Sequence, residues 1–478
     1  MARAYDETAP LPAGDSLHEA CGITGVVARG ADVARLVYFA LYALQHRGQE
    51  SAGIAVGDGT SLRVCREMGL IGGIFDEETL GSMSGHIAIG HTRYSTSGAS
   101  VVCNAQPFIE RSDAGLFAFG HNGNLTNTDA LREALPADVA LQATSDSEVL
   151  AKTIAHAPGT MIEKIRYAIR VAEGAFSVVI ATADTIYAFR DPWGVRPLCI
   201  GTYGDDGYMI ASESCALATV GAHYLREIEP GEIVAVDLHG IRTERTPVHE
   251  PAALCMFEYI YFARPDSVLS GRSIYMARYE MGRRLALEHP VDADVVMAIP
   301  DSAIPGGIGY SAASGLPYVE GLIKNRYIGR TFISPDQRMR SQGVQLKFNP
   351  IVENLRGQRV VVVDDSIVRG TTTPRIVSLL RDAGAREVHL RITSPPIVHP
   401  CYLGVDMATY AELIAANLTV EQICERVGAD SLGYLSKESL VESTGRSRDN
   451  FCLGCLTGEY PMAPAFSTPG SDLQPALK

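Results

Sequence analysis

The chain has 478 residues, 46% of them hydrophobic, and a formal net charge of −14 at pH 7. This length predicts about two to four domains, and the acidic balance argues against general nucleic-acid binding, which needs a basic face. No apolar run approaches the ~18 residues of a membrane span, so we expect no membrane partner. Residues 1–20 are polar and acidic, unlike a secretory signal. We therefore expect a cytoplasmic protein whose ten cysteines are mostly reduced thiols.

Cys21 opens the β-rich segment CGITGVV directly after a polar leader that ends in Ala20. Taken alone, a cysteine at the start of a strand is most simply a small buried residue. Removal of residues 1–20 would give Cys21 a free α-amino group, whose pKa of about 7.7–8.0 suits it to accept the thiol proton. One residue would then supply both nucleophile and base, and we expect residues 1–20 to be a propeptide.

Four polar segments follow: LYALQHRGQESAGIAV at 41–56, HTRYSTSG at 91–98, HNGNL at 121–125 and TSDSE at 144–148. With Cys21 they make residues 21–236 resemble the N-terminal-nucleophile glutaminase domain of class II amidotransferases. The resemblance implies that Cys21 attacks the glutamine amide and that Asn122 and Gly123 form the oxyanion hole. The implied glutamine-binding residues are Arg47, His91, Arg93, Thr96 and Asp146, of which Arg93 and Asp146 would hold the α-carboxylate and the α-amino group.

Each of these landmarks also has an ordinary interpretation. Ser145-x-x-Glu148 is a capping box ahead of the helical stretch EVLAKTIAHA, which would make Asp146 only a first-turn acid. Asn122-Gly123 is a common turn dipeptide, and His91 could be a buried core histidine. The occurrence of the whole set in this order favours the glutaminase.

After Gly174, short β-rich runs alternate with Gly, Asp and Pro, which predicts layered antiparallel sheets. Together with the helices of the first half, this predicts two packed sheets flanked by helices. The resemblance to the glutaminase domain implies that this is the α+β N-terminal-nucleophile hydrolase sandwich (αββα), over residues 21–250. Beyond a joint near residues 247–252, strands alternate with helices, which is typical of an α/β domain with a parallel sheet. We place this second domain at residues 251–460 and expect the Pro- and Ser-rich residues 461–478 to be disordered.

Residues 359–373, RVVVVDDSIVRGTTT, join a buried strand to a loop of small and hydroxylic residues. Gly370 gives this loop freedom, and Pro374 begins a helix that closes at Gly384. Free N–H groups, hydroxyls and the helix dipole predict an anion cradle, beside which Asp364 and Asp365 could hold a sugar diol or Mg²⁺. The alternative is an acid-tipped strand of another doubly wound domain, such as a phospho-acceptor pocket.

The same stretch resembles the phosphoribosyl diphosphate (PRPP) motif of type I phosphoribosyltransferases. The resemblance implies that Asp364 and Asp365 hold the ribose hydroxyls. The implied residues around the 5′-phosphate are Ser366, Arg369, Gly370, Thr371, Thr372 and Thr373. A second loop, after the strand VVMAIP, would hold the pyrophosphate with Asp301 and Ser302, and Ser302, Asp364 and Asp365 would hold Mg²⁺.

Residues 321–350 carry six basic residues against one acid in this otherwise acidic chain. A solvated loop or a nucleic-acid contact are the alternatives, but the low aromatic content argues against base stacking. We interpret the segment as a basic lid over a polyanionic sugar diphosphate. By the resemblance it is the flexible loop of the family, with Arg330 and Lys347 near the substrate.

Cys452-x-x-Cys455 is spaced like a ligand pair, which by itself leaves a redox pair, zinc or an iron–sulfur cluster open. With Cys255 and Cys401 it matches the positions that hold a [4Fe–4S] cluster in one branch of the glutamine-dependent amidophosphoribosyltransferases. Four thiolates suit zinc equally well by chemistry.

Residues 21–460 as a whole resemble the amidophosphoribosyltransferase family. The resemblance implies glutamine and PRPP as substrates, the first step of purine synthesis as the reaction, and a homotetramer restrained by AMP, GMP and ADP. The other functions to weigh are a sugar-phosphate aminating amidotransferase and a non-catalytic sensor built on the same folds.

Overall fold

The structure is a computed structural model, and it describes residues 21–94, 98–246, 251–325, 347–407 and 409–462. Several predictions lie outside these ranges: the propeptide 1–20, Thr96, Arg330 with most of the basic segment, part of the joint near 247–252, and the tail from residue 463.

The first half contains two antiparallel sheets. Its strands are β1 (Gly22–Val27), β2 (Ser51–Gly57), β3 (Leu62–Met68), β4 (Ile87–Arg93), β5 (Phe108–Ser112), β6 (Gly115–Leu125), β7 (Gly174–Ala181), β8 (Ile186–Arg190), β9 (Cys199–Tyr203), β10 (Gly207–Ala211), β11 (His223–Glu227), β12 (Glu232–Asp237) and β13 (Gly240–Arg245). Within the described residues, one sheet has the order β11-β9-β10-β1-β4-β2-β3 and the other β13-β12-β8-β7-β6-β5.

Helices cover the outer face of each sheet. They are α1 (Val33–Ala43), α2 (Ile71–Ile74), α3 (Glu77–Ser82), α4 (Thr128–Ala134), α5 (Asp146–His156), α6 (Met161–Val171) and α7 (Ser214–Thr219), with a 3-10 turn at Val102–Asn104. The strands alternate between two cores: Ile23 and Val27 of β1 face the other sheet, whereas Val26 packs under α1. Both faces of β1 are therefore buried, and the predicted αββα sandwich is confirmed.

The second half is built around a parallel sheet. Its strands are β14 (Leu254–Cys255), β15 (Val268–Leu269), β16 (Arg272–Ser273), β17 (Val295–Ala298), β18 (Leu322–Lys324), β19 (Phe348–Pro350), β20 (Arg359–Asp364), β21 (Glu387–Ile392), β22 (Ser431–Tyr434) and β23 (Phe451–Cys452). The order β17-β20-β21-β22 is parallel throughout. Val360 and Val362 face one core and Val361 and Val363 the other, which explains the four-valine run.

The helices of this half are α8 (Ile274–Glu288), α9 (Ile304–Ser314), α10 (Val352–Leu355), α11 (Thr373–Asp382), α12 (Ile414–Asn417), α13 (Val420–Val427), α14 (Lys437–Thr444) and α15 (Gly454–Thr457). A π-helical turn spans Glu258–Phe262, and 3-10 turns span Tyr410–Glu412 and Arg448–Asn450. The sequence pattern Thr419-x-x-Gln422 predicts a capping box, and the structure has it at the start of α13.

Two local predictions in this half are wrong. The run TVEQICERVGADSLGYLS at 419–436 predicts packing helices, but the part around Leu432 forms β22, because it completes the sheet beside β21. The Gly-rich segment DSAIPGGIGYS at 301–311 predicts a turn that enters a helix, but its three glycines lie within the helix itself, α9. A Cβ at Gly309 would overlap the carbonyl oxygen of Tyr279, and a Cβ at Gly282 would overlap that of Gly306. These glycines let α8 and α9 pack closely.

Candidate active sites

Cys21 immediately precedes β1, whose first residue, Gly22, pairs with Thr92 near the end of β4. The residue is buried, and its thiol donates to the carbonyl oxygen of Tyr94 at 3.4 Å. Burial raises the pKa of the thiol above its ordinary value, while the Tyr94 contact and the positive charge of Arg93 lower it. The thiol is therefore protonated at rest and needs a base to become a nucleophile.

Asn122 and Gly123 lie within β6, opposite Ser177 and Phe176 of β7. The turn interpretation is therefore wrong. Asn122 has no exposed surface, and neither its Oδ1 nor its Nδ2 has a hydrogen-bond partner within the described residues. Gly123 is required by close approach, because a Cβ there would overlap the carbonyl oxygen of Ala175. A buried amide that its surroundings leave unsatisfied is a donor available to a ligand.

Asp146 is the first residue of α5, and its Oδ2 accepts from the backbone N–H of Leu125 at 2.9 Å. The capping-box interpretation of this segment is wrong, because Ser145 makes no cap and Glu148 accepts from the N–H groups of Gln142 and Ala143. Asp146 raises the pKa of the Cys21 thiol, which places its charge near the nucleophile. The charges of the predicted Arg93 and Asp146 therefore both act on the thiol.

His91 and Arg47 each contact a backbone carbonyl group of the site. His91 is fully buried, its Nε2 lies 3.0 Å from the carbonyl oxygen of His121, and burial lowers its pKa to about 3. Arg47 donates from Nε to the carbonyl oxygen of Cys21 at 3.2 Å, and its guanidinium pairs with Glu213 and Glu258. Arg47 therefore fixes the nucleophile and ties it to the second half of the chain, where Glu258 lies.

A separate cavity of about 360 Å³ opens at the carboxyl ends of β17 and β20. Parallel sheets bind ligands at this edge. The predicted residues that line it are Asp301, Ser302, Lys347, Asp364, Asp365, Ser366, Thr372 and Thr373. The structure therefore brings together most of the residues predicted to bind PRPP.

Paired acids form the floor of this cavity. Asp365 is buried and accepts from the hydroxyls of Ser302 and Ser366. Burial raises the pKa of Asp365, whereas both hydroxyls and the charge of Arg278 lower it. The N–H of Asp365 donates to Asp364 at 2.9 Å, and Lys324 pairs with Asp301 at the rim. Several oxygen donors thus meet basic side chains at one edge of the sheet.

The loop before α11 has the predicted shape. Gly370 has φ +69°, and a side chain there would overlap Ile414. Arg369, Gly370 and Thr371 do not line the cavity. Arg369 instead pairs with Glu412 at 2.6 Å and lies 3.7 Å from Asp406. These ion pairs connect the loop to the segment around residues 406–412.

Sequence reasoning missed several residues of the cavity wall, among them His46 and Arg278. His46 comes from the first half of the chain, and its Nε2 lies 2.7 Å from Glu213. Arg278 is buried on α8 and donates to the carbonyl oxygens of Tyr259 and Ala263, both at 2.8 Å; burial lowers its pKa to about 10. His46 could have been found because it precedes the predicted site residue Arg47 in sequence, whereas no local sequence feature indicated Arg278.

The four predicted cluster cysteines come from three separate segments. Cys255 and Cys452 are register partners in the parallel pair β14–β23. Burial raises the pKa of the Cys455 thiol, and the thiols of Cys401, Cys255 and Cys452 raise it further. Within the described ranges, no group of three or more His, Cys, Asp or Glu side chains is arranged to hold a metal ion. The iron–sulfur and magnesium sites both stay predictions.

None of the helices in the described part of the chain combines the length and the apolar character needed to cross a bilayer.

A thiol-bearing αββα sandwich followed by a parallel-sheet domain with an acid-and-threonine loop defines a glutamine amidotransferase joined to a phosphoribosyltransferase. A model of the glutamine amidotransferase domain matches residues 91–219. The chain is 49% identical to the amidophosphoribosyltransferase of Synechococcus elongatus, over 94% of this chain and 92% of that protein. It is 48% identical to that of Methanocaldococcus jannaschii, over 93% and 98%.

Among solved structures, the chain is similar to glutamine PRPP amidotransferase from B. subtilis complexed with ADP and GMP. The TM-score is 0.88 at 44% identity, over 94% of this chain and 99% of that one. The chain belongs to the amidophosphoribosyltransferase family, which are enzymes of the pentosyltransferase type.

Proposed function

We propose that the two sites divide one reaction between them, the glutamine-dependent amidation of PRPP in purine biosynthesis. Glutamine, PRPP and water give 5-phosphoribosylamine, glutamate and pyrophosphate. Family membership supports this overall reaction, and the separation of a buried thiol site from a charged cavity supports the division of labour.

The observation that carries the first half-reaction is the unpaired amide of Asn122 in the sandwich that holds Cys21. The α-amino group of Cys21 takes the thiol proton, the sulfur attacks the glutamine carbonyl, and the oxyanion accepts from Asn122 Nδ2 and the N–H of Gly123. Such a donor is typically worth about 2.7–4 kcal/mol. The protonated α-amino group returns its proton to the leaving nitrogen, so collapse of this intermediate releases NH₃ and leaves a glutamyl thioester, which water then hydrolyses to glutamate and the free thiol.

The second half-reaction takes place in the charged cavity. Asp364 and Asp365 hold the ribose hydroxyls, and Thr372 and Thr373 receive the 5′-phosphate at the start of α11. Ammonia attacks C1 and pyrophosphate leaves toward Lys324 and Lys347, which also line the cavity. Catalysis here is positioning and charge stabilisation, because ammonia needs no further activation.

Two cofactors belong to this proposal. Ser302, Asp364 and Asp365 offer the oxygen donors that Mg²⁺ prefers, and the ion would neutralise charge on the departing pyrophosphate. Cys255, Cys401, Cys452 and Cys455 would hold a [4Fe–4S] cluster, supported by the pairing of Cys255 with Cys452 and by thiolate chemistry that suits iron or zinc. Iron and sulfide assays on anaerobically purified protein distinguish the two metals.

We extend the proposal to maturation and regulation. Residues 1–20 are removed as a propeptide, which intact mass measurement tests directly. AMP, GMP and ADP inhibit the enzyme, as supported by the similar B. subtilis enzyme solved with ADP and GMP. The enzyme acts in the cytoplasm as a homotetramer, which light scattering of the purified protein tests.

The deciding experiment compares two nitrogen donors. Cys21→Ala should abolish glutamine-dependent formation of phosphoribosylamine and retain ammonia-dependent formation, because only the first site needs the thiol. Cys65→Ala, a change of another free cysteine on β3, is the matched control and should retain both activities. Loss of both activities in folded Cys21→Ala protein would contradict two separate sites.

A further inference from the structure

Within the described structure, no hydrogen bond holds the side chain of Asn122 in place. It is fully buried, and both polar atoms of its amide are without hydrogen-bond partners in the described structure. A donor kept unpaired for a developing oxyanion must still be aimed accurately, because a 1 Å error can cost about 100-fold in rate. Its orientation must therefore come from the backbone on either side.

The preceding residue, His121, is held by a closed ring of three hydrogen bonds. Its N–H donates to Gln106 Oε1 at 2.8 Å, and its Nδ1 lies 2.9 Å from Ser147 Oγ. Gln106 Nε2 donates to the same Ser147 oxygen at 3.1 Å, which closes the ring. All three side chains are at least 95% buried.

The carbonyl oxygen of His121 is also fixed, because it lies 3.0 Å from His91 Nε2. Both ends of the residue before Asn122 are thus held, one by α5 and the segment before β5, and the other by β4. The hydroxyl of Ser147 accepts from Gln106 Nε2 and still has a proton and a second lone pair with which to bond His121 Nδ1. Burial lowers the pKa of His121, which keeps its ring neutral and leaves one ring nitrogen able to accept a hydrogen bond.

We propose that Gln106, His121 and Ser147 form a clamp that positions the Asn122 amide for the oxyanion of glutamine hydrolysis. These are positioning residues, since they act through Asn122. The inference rests on the proposed role of Asn122. The clamp sets the rate of the chemical step and leaves glutamine binding to Arg93 and Asp146.

Ser147→Ala tests the clamp by removing the oxygen that both Gln106 and His121 contact. We expect kcat for glutamine hydrolysis to fall about 10- to 100-fold, with KM for glutamine within about twofold and ammonia-dependent synthesis unchanged. Ser431→Ala is the matched control, because Ser431 Oγ makes a similar contact of 3.0 Å with His389 Nδ1 in the parallel sheet. It should retain wild-type glutamine hydrolysis.

A double-mutant cycle separates the clamp from the proposed function. In the Asn122→Ala background, Ser147→Ala should change kcat by less than about twofold, because the group that the clamp positions is gone. If the double variant instead lost kcat by the product of the two single-variant factors, the clamp would be overturned. An Asn122→Ala enzyme with wild-type glutamine hydrolysis would instead overturn the proposed oxyanion role.

A comparison of His121→Asn with His121→Leu tests the clamp even if Ser147→Ala does not fold. Its side-chain amide offers a hydrogen-bonding atom near the position of Nδ1, so kcat should stay within about 10-fold of wild type. His121→Leu, which offers none, should fall with Ser147→Ala, about 10- to 100-fold. Equal kcat in His121→Asn and His121→Leu, with ammonia-dependent synthesis intact in both, would overturn the proposal.

Discussion

The two sites of this molecule use opposite kinds of polarity. The Cys21 site offers an uncharged amide that is buried and unpaired, whereas the cavity at the end of β17 and β20 is lined by acids and bases that already contact one another. Glutamine hydrolysis develops one new charge on one oxygen, which a preorganised neutral donor stabilises without paying for a buried ion. PRPP arrives as a polyanion, so its site needs charged groups near solvent.

The comparison shows which structural elements position the functional groups of each site. Asn122 and Gly123 lie on an interior strand of the sandwich, fixed by β7 on one side. The acids Asp364 and Asp365 lie where β20 ends, and hydroxyls supplied by loops hold Asp365. Four changes would break or sharpen this comparison.

Asp365→Asn should have the largest effect, because it removes a charge from the floor of the PRPP cavity while keeping the shape of the side chain. We expect formation of phosphoribosylamine to fall more than about 1,000-fold with either nitrogen donor, a loss of about 4 kcal/mol. Glutamine hydrolysis without PRPP should persist. Kinetics with each donor check this, and retained synthesis would remove Asp365 from the second site.

Asn122→Ala should have the opposite selectivity, lowering the use of glutamine and leaving the PRPP reaction with ammonia intact. Loss of one oxyanion donor lowers kcat for glutamine about 100- to 1,000-fold, while ammonia-dependent synthesis stays at the wild-type rate. Steady-state measurement with both donors gives the ratio directly. A fall in ammonia-dependent synthesis would show that the two regions are less separate than their geometry indicates.

Lys324→Met should have a smaller effect confined to the charged cavity. Lys324 pairs with Asp301 at the rim and is partly exposed, so solvent screens its charge. We expect KM for PRPP to rise about 3- to 10-fold, or about 1 kcal/mol, and KM for glutamine to stay constant. Titration with PRPP measures the first value, and an unchanged KM for PRPP would argue against a role in binding.

Acid should destabilise the sandwich through His91, whose pKa is lowered to about 3 by burial. The unfolded chain binds a proton near pH 6.5 and the folded chain does not, so stability is full above about pH 6.5 and declines toward pH 3. The decline is about 1.4 kcal/mol per pH unit for this histidine. Urea unfolding of wild type and His91→Gln between pH 7 and pH 4 checks this, and parallel curves would contradict it.

Some features could be predicted because they are local. The four-valine strand, the acids at its end and the helix that has Pro374 in its first turn are neighbours in sequence, and periodicity and turn chemistry describe such neighbours well. The αββα order followed from short alternating runs. Local signals also misled, as at Ser145, where a capping-box pattern exists and the cap does not.

The sequence by itself determined the two chemistries, a cysteine ahead of a β-rich segment and an acid-and-threonine loop at a strand end. Only the tertiary structure decided that Arg47 braces Cys21, that Arg369 pairs with Glu412, and that His46 reaches the second cavity. The physical reason is distance along the chain: Arg47 and Glu258 are 211 residues apart, and no local pattern encodes which buried charges will meet. Such pairs form because a buried charge must find a partner, and the fold determines which one is within reach.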